Sequence, residues 1–377
     1  MKMENIGLNN EVVAGGRKFH VQTQYIEPNE KVVSTIFDNG KVIVTKSIEV
    51  KSVAPTSEIK QQVNKLHQDM IADLELIFYI SEKVLSIKHS ASNNKLGLVF
   101  LKRNLYNEAI TEFKRAIEID QDFVEAYNNL GYAYLKQKSF QEAIKAFENG
   151  IEKDSKFADL HNNLGYAYFK ADKYVEAIQE LQSALNINQN YIAAIINLCL
   201  VYLKTIEKKT QNSNLPSVPE RMEKIKQSLI DIKEKDQYLQ PQYIETALEH
   251  LENNNITEAI HTLEMAEAER LDLEYINIEN EFYLKFMFGG KGKDDSFILD
   301  YTNQLKQAIA KHPDYSDLRN NLGIAYLIQC RNLFLNALEE FRQALKINPE
   351  FIKAEKNLKL AENDGKGFLI LLRAILK

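Results

Sequence analysis

The chain has 377 residues, of which 14 are glycine and 7 are proline, and its formal net charge is −6. So few turn-forming residues argue against an all-β sandwich or barrel and favour helices joined by short connections. The sequence has no block of basic residues, no apolar run of membrane-spanning length and no apolar N-terminal stretch, so we expect no nucleic-acid partner, no membrane span and a cytoplasmic location.

Residues 1–55 are predicted to form a small β-domain. Three segments, KFHVQTQYI, KVVSTIF and KVIVTKSIE, are rich in β-branched residues and alternate in polarity. Asp38-Asn39-Gly40 separates the second segment from the third, as in a tight hairpin. We therefore predict a three-stranded antiparallel meander between residues 17 and 50, which must pack on another element to be stable.

A long helix is predicted over residues 56–89. Its apolar residues nearly follow a seven-residue repeat, which Asp73 interrupts. These residues are Ile59, Val63, Leu66, Met70, Ile77, Ile80, Val84 and Ile87. Two kinds of packing remain open: the helix docks onto the sheet and the segment that follows it, or it forms a coiled-coil homodimer through residues 57–88.

The next part of the chain is built from repeats of constant length. Leu-Gly recurs at Leu96-Gly97, Leu130-Gly131 and Leu164-Gly165, which sets a period of 34, and Glu-Ala-Ile recurs in the same phase from residues 108, 142 and 176. Each unit predicts two antiparallel amphipathic helices, with the glycine allowing close approach of the second helix. Because neither helix can bury its apolar face alone, neighbouring units are expected to stack.

These units resemble the tetratricopeptide repeat (TPR) family. The resemblance implies a mainly α fold, a solenoid of about seven helical hairpins over residues 90–349 that is partly irregular. We expect a loop at 205–220 within the fourth unit, a glycine-rich break at 289–292 in the sixth, and two extra residues between the two helices of the seventh. Residues 350–377 are predicted to form a capping helix and a short apolar helix, which packs on the last repeat or binds a membrane surface or a partner.

In such a solenoid the first helices of the units line the concave face, so the resemblance implies a groove for an extended protein segment. Asparagines at equivalent positions are similar to the asparagine ladders of long TPR superhelices such as that of O-GlcNAc transferases. Lysines and aromatic residues beside them suit an acidic segment. The candidate groove residues are Asn129, Asn163, Asn197, Lys102, Lys136, Lys170, Lys204, Tyr132 and Tyr166.

The sequence offers no catalytic or metal-binding constellation, and we expect neither an enzyme nor a cofactor. GGKGKDD at 289–295 has Asp294 where a phosphate-binding loop needs a hydroxyl residue, so a flexible loop is the better interpretation. We therefore predict a scaffold or adaptor that binds protein partners in the groove. The alternative is a regulatory adaptor that docks partners or dimerises through its N-terminal sheet and long helix, with the repeats as a spacer.

Overall fold

The computed structural model describes residues 6–50, 55–210, 212–235, 241–271, 276–291, 294–311, 313 and 316–362. The chain divides into two compact units, one of residues 1–75 and 81–274 and one of residues 76–80 and 275–377. The strands of the first unit are β1 (Gly7–Ala14), β2 (Arg17–Ile26), β3 (Lys31–Asp38) and β4 (Lys41–Glu49).

Helices make up most of the remaining chain. In order they are α1 (Thr56–Ile87), α2 (Ser90–Lys102), α3 (Tyr106–Ile119), α4 (Val124–Lys136), α5 (Phe140–Lys153), α6 (Ala158–Lys170), α7 (Tyr174–Ile187), α8 (Ile192–Glu207), α9 (Val218–Lys235), α10 (Pro241–Glu252), α11 (Ile256–Leu271), α12 (Ile276–Met287), α13 (Asp295–Lys311) and α14 (Ser316–Ile347). Residues 352–362 are also helical. No helix within these described ranges combines the length and the apolar character that crossing a bilayer would require.

The N-terminal sheet is antiparallel with the order β1-β2-β3-β4, so the predicted count of three strands is corrected to four. The additional strand is β1, in which only Val12 and Ala14 are buried. Its remaining residues are mostly polar and exposed, which hides the alternation. Gly15 and Gly16 join β1 to β2 with φ of 55° and 74°, a left-handed conformation that glycine adopts readily.

Helix α1 packs on the sheet, as one of the two interpretations of the sequence predicts. In the part of the apolar stripe listed above that belongs to the first unit, Ile59, Val63, Leu66 and Met70 are 2–4% exposed within a single chain. The His67 ring contacts the Thr23 hydroxyl on β2 at 2.9 Å and the Asn10 amide oxygen on β1 at 2.9 Å. This burial leaves no exposed apolar seam at these positions for a coiled-coil homodimer.

The buried imidazole of His67 makes the stability of the sheet depend on pH. Burial lowers the pKa of His67 below its ordinary value of 6.5, so the unfolded chain takes up this proton first as the pH falls. We expect the stability advantage of the wild type over a His67→Gln variant to shrink between pH 7 and about pH 5. Urea-induced unfolding of both proteins at several pH values measures this difference in the free energy of unfolding.

His161 provides the control for this pH dependence. The hydrogen bond that the His161 ring donates to the Glu180 carboxylate raises the pKa of His161 despite partial burial, so its stabilising contribution is present below the unfolded pKa and is lost as the pH rises. The advantage of the wild type over His161→Gln is therefore expected to grow as the pH falls. A pH-independent difference for the His67 variant would contradict the assignment of a buried neutral imidazole.

The sheet and α1 also hold the first repeat. Arg17 on β2 forms an ion pair with Glu108 on α3. Asp73, the residue that interrupts the apolar stripe of α1, lies 2.8 Å from the guanidinium of Arg103 at the end of α2. The residue that interrupts the apolar pattern of α1 thus makes a contact with the repeats.

The first three repeats have the predicted helical-hairpin structure, formed by α2 with α3, α4 with α5, and α6 with α7. Each tight turn contains a residue with positive φ: Asn104, Lys138 and Asp172 (55°, 62° and 59°). A Cβ added at the glycine of each first helix would lie under 3.0 Å from a second-helix side chain. These pairs are Gly97 with Phe113, Gly131 with Phe147, and Gly165 with Leu181.

The later repeats are irregular. In the fourth unit α8 ends at Glu207 and α9 begins at Val218, which places a loop where the polar, proline-containing segment predicts one. Helices α10 and α11 form the fifth unit, and α12 and α13 form the sixth around Gly290, whose φ is 70°. The apolar segment at 364–377, predicted as a short helix, lies outside the described residues.

The seventh unit departs from its prediction of two helices, because α14 is one continuous helix. A regular unit spaces the glycine of the first helix and the alanine of the second as Gly131 and Ala143 are spaced, whereas the step from Gly323 to Ala337 is longer by two residues. The longer step makes about four helical turns, so both halves keep a common face in one helix. If the regular step of Gly131 and Ala143 were continued as one helix, the apolar face of the second half would be rotated by about 120° from that of the first half. The two faces could then meet only in a hairpin.

Candidate functional site

The predicted asparagine column lies along α4, α6 and α8, where its side-chain amides link neighbouring helices. Asn129 donates to the Asn94 oxygen at 2.9 Å, Asn163 donates to Asn128 at 2.9 Å, and Asn197 donates to Asn162 at 3.0 Å. Each bond joins a first helix to the first helix of the preceding repeat. The ladder therefore connects the repeats to one another.

The three asparagines of the column differ in accessibility. Asn129 and Asn163 are half-buried, whereas Asn197 is 3% exposed. The Asn197 amide oxygen is buried without a hydrogen-bond partner among the described residues. Asn129 and Asn163 are therefore the members of this column that can face a ligand.

Two of the predicted lysines, Lys136 and Lys170, end α4 and α6 beside the predicted aromatic residues. The Lys136 ammonium is 5.1 Å from the centre of the Tyr132 ring, and the Lys170 ammonium is 5.0 Å from the centre of the Tyr166 ring. Desolvation by neighbouring groups opposes the charge of Lys136, but the phenol groups of Tyr132, Tyr106 and Tyr166 raise its pKa above the ordinary value. The ammonium group is thus charged at neutral pH and lies against aromatic faces, an attractive arrangement.

Two of the four lysines already have a carboxylate partner. Lys170 lies 3.4 Å from Glu264 on α11, and Lys204 lies 2.5 Å from Glu207 on its own helix. Glu207 also accepts a hydrogen bond from Thr257 at the start of α11. Helix α11 therefore contacts this surface at α6 and α8.

The other two lysines, Lys102 and Lys136, are exposed and have no carboxylate within ion-pair distance in the part of the chain that the structure describes. Lys102 ends α2 and Lys136 ends α4, one repeat further on. Lys136 lies beside Tyr132, and Tyr166 lies beside Lys170 in the next repeat. We call the set of Lys102, Lys136, Tyr132 and Tyr166 the open lysine surface. Its charge and its aromatic rings suit a carboxylate-bearing segment.

The sequence contained a signal for some of the residues that were missed. Asn94, Asn128 and Asn162, which accept the ladder hydrogen bonds, recur at the repeat period of 34 and precede the predicted column by one residue in each unit. No sequence signal pointed to Glu264, because it lies far along the chain from its partner Lys170 and outside the period.

Other groups with possible chemistry lie apart from the open lysine surface. A cavity of about 240 Å³ adjoins Cys199, Tyr202 and Ser228 in the first unit. Burial raises the pKa of the Cys199 thiol to about 12, so the thiol is protonated and unreactive at neutral pH. Within the described residues no cluster of three or more histidine, cysteine or acidic side chains is arranged to hold a metal ion.

Comparison with known proteins identifies the repeats. Residues 97–138 match a TPR repeat model, and residues 124–157 and 158–191 each match a tetratricopeptide repeat model. No curated protein shows significant similarity to the chain.

Several solved structures resemble parts of the chain. MamA is 24% identical over 47% of this chain and 95% of its own, with a TM-score of 0.37. The second TPR domain of human RPAP3, solved with an HSP70 peptide, is 26% identical over 30% of this chain and 93% of its own, with a TM-score of 0.29. YrrB, described as a TPR protein with an unusual peptide-binding site, is 16% identical over 52% of this chain and 94% of its own, with a TM-score of 0.35.

Proposed function

The chain is a tetratricopeptide repeat protein, with family matches over residues 97–191, and on this premise we propose that it is a non-catalytic scaffold that binds an extended, acidic protein segment. The segment lies along the first helices of the repeats. The observation that carries the proposal is the open lysine surface, in which two charged lysines lack carboxylate partners among the described residues. A cytoplasmic location, predicted from composition, belongs to the same proposal.

Electrostatics and packing both support an acidic segment. Carboxylates of the segment pair with Lys102 and Lys136, and apolar parts of its backbone and side chains pack on Tyr132 and Tyr166. Asn129 and Asn163, which are half-buried, line the same helices and offer polar contacts. At Lys170 and Lys204 the segment has to displace Glu264 and Glu207, so these two lysines contribute less.

Binding to peptide arrays tests the proposal. We expect the full-length protein to bind acidic, extended peptides more tightly than neutral or basic peptides of the same length. A Lys102→Glu/Lys136→Glu variant is expected to weaken this binding by about tenfold or more, because two favourable charge contacts become repulsive. Fluorescence anisotropy with a labelled acidic peptide measures the change.

Lys145→Glu is the matched control, because Lys145 is an exposed lysine on α5, the second helix of the same repeat. Lys145→Glu changes the net charge by as much as Lys136→Glu does, but on a second helix and not on the first helices that are proposed to bind the segment. Equal affinity for acidic and basic peptides, or equal losses in the two variants, would contradict the proposal.

The alternative function uses the N-terminal sheet as the docking surface. Its strand β4 lies at one edge of the sheet and is exposed along most of its length, including Val42 at 51%. An edge strand can pair with a strand of a partner. Lys41, Lys46 and Glu49, however, are charges of the kind that protect edge strands from such pairing. Binding that is lost in Val42→Asp and retained in Lys102→Glu/Lys136→Glu would favour this alternative.

A further inference from the structure

We propose that a second copy of this chain pairs with α14 in an antiparallel arrangement, and that each copy places its Phe341 over Gly323 of the other. The proposal concerns the second compact unit and does not depend on the open lysine surface. The two copies would thereby rebuild, between them, the helix-to-helix contact that the first three repeats make within one chain.

The first observation is an unfilled contact site on α14. In the regular repeats the glycine of the first helix lies directly under a bulky side chain of the second helix, as Gly131 lies under Phe147. At Gly323 an added Cβ would meet no atom within 4 Å. Phe341, which has the position of Phe147 in the seventh unit, is half-buried further along the same helix. Both halves of the contact are thus present but apart.

The second observation is the exposure of the alanine that normally lies inside the hairpin. Ala109, Ala143 and Ala177 are fully buried in the regular repeats. Ala337, their counterpart, is exposed. A position that packs against another helix in three repeats is therefore uncovered in the seventh.

The third observation is an exposed stripe along the whole of α14. Its members follow a seven-residue repeat with alternate steps of three and four, the pattern by which two helices pack side by side. They are Gly323, Tyr326, Cys330, Leu333 and Ala337, and Ile347 falls in the same pattern beyond the intervening positions Glu340 and Ala344. Tyr326 is 45% exposed, Leu333 is 68% exposed and Ile347 is 86% exposed.

The fourth observation is a turn sequence that is helical in α14. Arg103-Asn104-Leu105 is followed by an aromatic residue and forms the turn of the first repeat, where Leu105 is 2% exposed. Arg331-Asn332-Leu333 is also followed by an aromatic residue but lies within a continuous helix. An extended connection between two elements that pack together in sibling units is the condition for exchange of an element between two copies.

The continuity of α14 indicates that a second copy of the chain covers its exposed face. If the helix stays unbroken, its second half cannot fold back on its own first half, and a second copy supplies the matching surface without breaking a helical hydrogen bond. In an antiparallel pair the contacts of Gly323 with Phe341 and Ala337 place the two-fold axis near residues 330–332. Cys330, an exposed free thiol, then lies close to Cys330 of the second copy.

Sedimentation velocity and cross-linking of the full chain test the proposal. We expect a species of twice 43.5 kDa to form at micromolar concentration. A short bismaleimide is expected to link two chains through Cys330, since the other cysteine, Cys199, is buried. Leu333→Glu is expected to abolish both the larger species and the cross-link. Leu299→Glu, at a 51% exposed leucine of α13 outside the stripe, is the control that retains both.

A mixing experiment distinguishes the direction of pairing. Gly323→Cys and Ala337→Cys are prepared separately, each with Cys330→Ser, and mixed under oxidising conditions. Disulfides between the two variants are expected in an antiparallel pair, whereas self-linked chains would indicate a parallel pair and overturn the proposal. A monomer at all concentrations, or a dimer that neither cross-links through Cys330 nor responds to Leu333→Glu, would also overturn it. Ala337→Arg serves as a second disrupting variant if circular dichroism shows that Leu333→Glu is unfolded.

Discussion

Replacing Phe147 by alanine is expected to lower the free energy of unfolding by about 3–5 kcal/mol. The ring is completely buried and fills the space above Gly131, where even one added carbon would lie under 3.0 Å from it. The substitution leaves a cavity that α4 and α5 cannot close without shifting along their whole contact. Urea-induced unfolding followed by far-UV circular dichroism measures the loss.

The chain supplies its own controls for this prediction. Phe147→Leu is expected to cost less than about 1.5 kcal/mol, because Leu181 occupies the same place over Gly165 in the next repeat. Phe341→Ala is expected to cost about 1 kcal/mol or less in the monomer, because this ring is half-buried and lies over no glycine of its own chain. Equal losses at positions 147 and 341, measured in the Leu333→Glu background that is expected to be monomeric, would contradict the glycine-based account of repeat packing.

Replacing Asp73 by alanine is expected to lower the free energy of unfolding by about 2–3 kcal/mol. The substitution removes the carboxylate that lies 2.8 Å from the guanidinium of Arg103, whose side chain is 8% exposed. The side chain of Asp73 is 33% exposed, so solvent screening reduces the loss below that of a fully buried pair. Thermal and urea unfolding of the full chain both measure the effect.

A surface ion pair and a double variant serve as controls for Asp73. Glu49→Ala removes a partner of Lys31 in a pair whose side chains are 85% and 42% exposed, and we expect a change within about 0.5 kcal/mol. Asp73→Ala/Arg103→Met is expected to recover part of the lost stability, because no buried charge remains. If the double variant is no more stable than Asp73→Ala, the lost stability does not come from the buried guanidinium.

The regular repeats could be predicted from the sequence because their contacts are local. Gly131 and Phe147 lie on consecutive helices and recur at the repeat period. The period therefore predicts the helical hairpin, the close approach of its two helices and the stacking of the repeats. Strand β1 was missed for a different reason. Its polar residues obscure the alternation, and the only clear signal was the Gly15-Gly16 turn.

The candidate site could be predicted only in part. The lysine and tyrosine columns are visible as repeats, but Glu264 reaches Lys170 from α11, far along the chain and outside any period. The repeat pattern predicts the asparagines as ligand contacts, whereas each is also a link between helices, because an amide side chain at this position can reach the preceding repeat. In α14 the repeat motif predicts a hairpin, but the structure is one continuous helix. The two extra residues place the motif residues of both halves on the same face of that helix.

The sheet and α1 have a consequence for how such chains can assemble. A stack of like repeats resembles a short polymer, and two uncovered ends would allow growth into filaments. Here Arg17 and Asp73 hold the sheet and α1 on the first repeat, so that end is plugged by elements that are not repeats. Because these elements cover the first repeat, a second chain cannot stack its own repeats at that end.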